Sequence, residues 1–290
     1  NWMMFKKFIQ ILRNNRIRRN FSFSKISKKK SLFITISKRQ KFIFAVVVLS
    51  LILFWSEQLF GKSGIYVAVI LPILTDFFVF WAIGSDLKNK FYPQIFILPF
   101  LYSLASALFY FLVPARFLTR IAMTSFYAIG LYSLLLSVNI FVVSSVRTIA
   151  LLSSARTVSF FVTLISYFFL SNVVISLRLN IFLTLTLIFC FTFPLTLYSL
   201  WTHALDSKFF SRFAWITLLS VSLVQTALAL WFWPASPTII ALFLSGLFYI
   251  FIGLSQNWID RRLFKAIMWE YVWVAVIVFI VFVTFSLRSS

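Results

Sequence analysis

The sequence predicts an all-α, polytopic transmembrane helix bundle of about nine spans, preceded by a basic cytoplasmic N-terminal tail. Three observations predict it. The first is composition: 62% of the 290 residues are hydrophobic and only 11% are charged, against roughly 45–50% and about 25% in soluble domains. With a mean hydropathy of +0.99, there is too little polar side chain to cover a water-facing surface, so lipid is the solvent for most of the chain. The second is the recurrence of apolar runs of about 20 residues, the length an α-helix needs to cross a bilayer. The third is the placement of cations at alternate ends of those runs. A soluble enzyme, a DNA-binding domain and a disulfide-rich secreted module are excluded.

The chain divides into a tail, 1–41, and a bundle, 42–290. The tail holds 13 of the 27 Lys and Arg residues. Trp2, Phe5, Phe8, Ile9 and Leu12 fall at helical spacing, with Lys6, Lys7 and Arg13 largely off that stripe. This pattern predicts a short amphipathic helix on the inner leaflet. Residues 14–30 are basic and rich in Ser and Asn, ending in Lys28, Lys29 and Lys30. Two readings stand: an electrostatic clamp on anionic headgroups or a basic-patch partner, and a disordered stop against translocation. The net charge of +21 would suggest nucleic acid in a soluble protein. Here the cations sit in the tail and in short loops, so topology explains them and no nucleic-acid partner is expected. The chain opens Asn1-Trp2-Met3-Met4, so either Met3 or Met4 is the start or the sequence is a fragment. No signal-peptide pattern is visible.

The bundle follows as nine runs: 42–60, 64–84, 93–113, 121–143, 157–177, 181–201, 213–232, 238–257 and 271–287. They lack the period-2 alternation of a β-barrel. In lipid, helices alone satisfy their own backbone without closing a barrel. With the tail in the cytoplasm, the cytoplasmic segments carry 22 cations and the opposite side five; without the tail the ratio is nine to five. Tryptophans agree: Trp55, Trp231 and Trp233 fall near outer ends, and Trp81, Trp201, Trp215, Trp258, Trp269 and Trp273 near inner ends. The segment 144–156 is the weak point, since it either forms a loop or extends a neighbouring span. Eight spans would reverse the C-terminus. Connections are short and no soluble module is inserted.

Chemistry has to come from a short list. Of six acids, Glu57, Asp76, Asp86, Asp206, Asp260 and Glu270, only Asp76 is well inside a span. An Asp at mid-membrane costs about 2.5–3.5 kcal/mol on insertion scales, so it faces protein or water. Pro72 precedes it by one turn and removes the bond its N–H would give Ala68. Asp76 is either a proton, cation or ligand site, or a structural group paired with Arg147 or Arg156 or protonated against a neighbouring helix. His203, the sole histidine, has Asp206 three residues on along the same helical face. The pair reads as a proton relay or as an interfacial residue with a solvated partner. Asp76, Arg147, Arg156, His203 and Asp206 are therefore the candidates for a ligand or proton site.

Asn139, Asn172, Asn180, Gln225 and Asn257 read as interhelical hydrogen bonds. Pro99 and Pro194 are expected to kink the third and sixth spans. Only six glycines occur and none at GxxxG spacing, so close helix contacts fall to Ser, Ala and Thr. The inner ends collect Arg261, Arg262, Lys265 and other charges, a rim suited either to anionic headgroups, together with Lys28, Lys29 and Lys30, or to ordinary loop anchoring.

No phosphate loop, Asp-rich two-metal motif or zinc-protease motif is present, and no second intramembrane acid completes a protease dyad. One His and one Cys do not make a usual zinc site. No metal, no cofactor and no enzyme activity are expected. If there is an enzyme, Asp86, His203, Asp206 and Asp260 are the residues to mutate first.

The stretches SVRTIALLSSAR at 145–156 and SNVVISLRL at 171–179 resemble segments of uncharacterised multi-pass membrane proteins of small-genome bacteria. The resemblance covers a tenth to a fifth of the chain and implies no activity. The expected location is the bacterial cytoplasmic membrane, and the cation count puts the N-terminus on the cytoplasmic side. The expectation is a bundle of unassigned role, transporter-like for a small solute or lipid. The alternative is a scaffold or assembly factor whose tail binds anionic lipid or a protein partner.

Overall fold

In a computed structural model the described residues are 37–60, 65–84, 93–114, 116–144, 151–204 and 213–289. Contacts divide the chain into 1–37 and 38–290, and the helices below all belong to the second unit. The expected amphipathic segment at 2–12 and Lys28, Lys29 and Lys30 lie outside the described residues.

Among the described residues, nine helices are long and apolar enough to cross a membrane. They are α1 (Lys38–Phe60), α2 (Ile65–Ile83), α3 (Ile97–Leu112, entered through a 3-10 turn at Pro93–Phe96), α4 (Phe117–Ser144), α5 (Leu152–Ser176), α6 (Ile181–Ala204), α7 (Phe213–Trp231), α8 (Pro237–Ile259) and α9 (Lys265–Ser289). The chain is an all-α integral membrane protein.

Most helices overrun the apolar window that signals them. The backbone ladder continues through polar residues once a helix is nucleated, so α1 begins at Lys38, α5 at Leu152 and α9 at Lys265. Lys41 is therefore helical, and its ammonium lies 4.9 Å from the Trp81 ring centre. Residues 152–156 belong to α5, which places Arg156 in its second turn.

Pro99 corrects an expectation. It falls in the first turn of α3, where its missing N–H has no intrahelical partner to lose, so it does not interrupt the helix. Pro72 and Pro194 do lie inside α2 and α6.

α5 is the centre of the bundle. It packs against α3, α4, α6 and α8, and 61% of its span is buried, against 6% for α9, which rests chiefly on α8. The outward surface is apolar: Phe182 is 82% exposed and Leu118 80% exposed. The interior, by contrast, takes most of its polar character from hydroxyls, with Ser103, Thr163, Ser166, Ser171, Thr192 and Thr196 fully buried. Water would reject that arrangement and lipid requires it.

Glycine also serves differently from the expectation that only Ser, Ala and Thr permit close contacts. A Cβ at Gly130 would overlap the Tyr102 hydroxyl, and one at Gly253 would lie 2.5 Å from the Tyr271 ring. Each glycine admits one tyrosine, with no repeat in sequence to announce it.

Candidate functional site

Asp76 stands on α2 beside a buried chain of hydroxyls. Thr75 returns its hydroxyl to the Leu71 carbonyl at 2.9 Å and lies 2.8 Å from Ser103 Oγ on α3. Ser103 Oγ is in turn 3.1 Å from the Tyr127 hydroxyl on α4. The Tyr102 ring stacks on Tyr127 with centres 5.8 Å apart, and its hydroxyl donates to the Phe126 carbonyl at 3.1 Å. These bonds fix the three helices around one face of α2.

The neighbouring face is open. Asp76 is half-buried, and its Oδ1 is shielded from solvent with no hydrogen-bond partner among the described residues. It lines a groove of about 550 Å³ that is otherwise apolar, walled by Phe96, Phe100, Leu104, Leu170, Val174, Cys190 and Pro194 among others. Pro194 has no N–H to give the carbonyl of Cys190, one turn back on the same helix. The groove thus meets one carboxyl group, from α2, and the stretch of α6 at Pro194 where the helix lacks one backbone donor. A second groove of about 460 Å³, between α4, α5, α8 and α9, has no carboxylate, Lys, Arg or His in its wall.

The structural alternative for Asp76 is corrected in part. Arg156 does not pair with it; its Nε donates to the Thr202 carbonyl at 3.2 Å, near the end of α6. Arg147 lies outside the described residues.

His203 finds an acid other than the one the sequence offers. Its Nε2 is 2.8 Å from Oδ2 of Asp260 at the end of α8. The ring nitrogen makes an ion-pair distance there without an aligned hydrogen bond. Asp206 lies outside the described residues. Arg261, Arg262 and Lys265 are exposed on the turn that follows Asp260, among the exposed rings of Trp258, Phe264 and Trp269.

Of the amides, Asn172 donates to Thr238 at 3.1 Å and Asn257 to Tyr271 at 3.1 Å, as interhelical bonds should. Asn139 Oδ1 has no partner among the described residues. Sequence reasoning saw Asp76, Pro72 and Pro194 but missed Cys190 as a groove residue. It also missed the Thr75–Ser103–Tyr127 chain, for which spacing gives no signal because its members come from three helices. Among the described residues, no group of three or more His, Cys, Asp or Glu is placed to hold a metal.

The model of a family described as a protein of unknown function (DUF5656) matches residues 56–285, more than three quarters of the chain, from the end of α1 to near the end of α9. No curated protein and no solved structure matches.

Proposed function

The chain belongs to the DUF5656 family, and from that premise we propose that it binds a small amphipathic solute or lipid in the groove at Asp76 and moves it in a transporter-like cycle. The observation that carries this reading is Asp76 Oδ1, a carboxyl oxygen with no hydrogen-bond partner among the described residues, on the wall of an apolar groove. A carboxyl group in hydrocarbon is costly, and a ligand that brings a hydrogen-bond donor or a cation offsets that cost. The volume of about 550 Å³ falls within the roughly 300–1,000 Å³ of small-molecule sites. An apolar wall favours an alkyl body over a hydrated ion. We assign the protein to the bacterial cytoplasmic membrane with its tail cytoplasmic; the excess of cations on that side of the alternation supports the orientation.

A photoactivatable long-chain alkylamine tests the binding claim. It should crosslink within α3 or α6, and Asp76→Asn should cut crosslinking by about tenfold. Labelling spread over the outer surface, or indifferent to the substitution, would overturn the reading.

A second reading has its own observation. Arg261, Arg262 and Lys265 are exposed together on the α8–α9 turn, ringed by exposed aromatics that suit the membrane interface. This turn would hold anionic headgroups, Lys28, Lys29 and Lys30 are proposed as contacts of the tail to the same class of lipid, and the protein would then act as a scaffold for lipid or for a protein partner. Retention of phosphatidylglycerol through purification should fall when the three cations of the turn are replaced by Gln.

A further inference from the structure

A cavity of about 370 Å³ lies where α5 ends, α6 begins, α7 ends and α8 begins. His203 and Asp260 stand at the other ends of α6 and α8, so the cavity and that pair mark opposite ends of the bundle. The cavity has an apolar floor and a polar rim. Ile188, Ile240 and Leu244 in its wall are buried. Arg178 and Trp233, also in the wall, are exposed, and Trp231 is half-buried.

The charge at the rim is one-sided. No acid stands in the wall, and the Arg178 guanidinium makes no ion pair or hydrogen bond with a described residue. Two helices end and two begin here, so their dipoles largely offset one another and the guanidinium sets the sign. Neither of the two larger grooves has a cation in its wall. Arg178 also holds left-handed backbone, with φ of 47°, a conformation that glycine adopts at lower cost. Its side chain is what glycine would not supply.

At the edge of hydrocarbon, an arginine lays its stem along apolar surface and keeps its head among the polar groups of the interface. Tryptophan rings prefer the same depth. The guanidinium fork matches the oxygens of a phosphate. A small free anion gains nothing from the apolar floor, whereas an acyl chain is buried by it. We propose that this cavity is a binding site for an anionic phospholipid, its phosphate paired with Arg178 and one acyl chain laid against Ile188, Ile240 and Leu244. The site shares no wall residue with the Asp76 groove and lies at the opposite end from the α8–α9 turn, so it rests on neither reading.

The full chain in phosphatidylcholine nanodiscs, given a trace of phosphatidylglycerol with a diazirine in its acyl chain, tests this by mapping the crosslinked residues. Labels should fall within 227–244, and the matching phosphatidylcholine probe should label that stretch at least fivefold less. Arg178→Gln should cut the labelling about tenfold, and Arg178→Lys, which keeps the charge, should retain at least half. If Arg178→Gln fails to fold, Arg178→Gly, which relieves the left-handed backbone, must show the same loss. Unlabelled phosphatidylglycerol should compete and glycerol phosphate should not. Replacing Arg261, Arg262 and Lys265 by Gln should leave labelling of 227–244 unchanged. Equal labelling by the two probes, or full labelling in Arg178→Gln, overturns the proposal. Competition by glycerol phosphate overturns it in favour of a free anion, and loss of labelling on replacing the three distant cations overturns the assignment to Arg178.

Discussion

His203 and Asp260, one on α6 and the other capping α8, meet at 2.8 Å and tie two helices together at one end of the bundle. The Asp260 side chain is 39% exposed, so water and salt screen the pair. A double-mutant cycle with His203→Ala and Asp260→Ala should return a coupling of at most about 1 kcal/mol, falling with added salt. A coupling of several kcal/mol would mean the pair is desolvated in a larger assembly.

Arg178 and Arg261 hold left-handed backbone, with φ of 47° and 55°, where helices commonly end in glycine. Arg262 N–H reaches back to the Asn257 carbonyl at 3.0 Å, and Arg261 N–H to that of Trp258 at 3.1 Å, which closes the end of α8. Arg178→Gly and Arg261→Gly should each raise stability by about 1 kcal/mol, read from thermal unfolding in detergent. If the second reading of the α8–α9 turn holds, Arg261→Gly should also weaken retention of anionic lipid.

The Tyr102–Gly130 contact leaves no space for a methyl group. Gly130→Ala should destabilise by about 1–3 kcal/mol through overpacking. Combining it with Tyr102→Phe should recover only part, because the ring carbons crowd the same position. An additive pair would show that the two helices separate more easily than the contact implies.

α9 should open first. Its span is only 6% buried, and its polar ties to the rest include Trp233 Nε1 to Ser286 Oγ at 2.6 Å and Asn257 to Tyr271 at 3.1 Å. Hydrogen exchange in nanodiscs should show Trp233→Phe increasing exchange at the C-terminal end of α9 ahead of α5, the low-stability element yielding before the centre.

The spans were legible because hydropathy is a local property: each run of apolar residues announces its helix without reference to any other. Asp76 was legible for the same reason, as an acid amid apolar neighbours. Partnership was not. His203 has an acid three positions away in sequence, yet the acid it meets among the described residues comes from two helices further on, chosen by packing between α6 and α8. The groove likewise takes its wall from α2, α3, α5 and α6, and no spacing rule assembles residues from four helices. Cys190 reads as one apolar residue among many until α3 and α5 place it on a wall.

Cys190 is the only cysteine in the chain, it is exposed, and it lines the groove with Asp76. It reports on the groove without any added residue. The direct measurement is the rate at which a small membrane-permeant maleimide modifies Cys190 in nanodiscs, with and without a long-chain alkylamine. The alkylamine should slow modification severalfold in wild type and leave the rate unchanged in Asp76→Asn. Equal rates with and without the amine in wild type, or equal protection in the Asp76→Asn variant, would contradict a binding groove centred on Asp76.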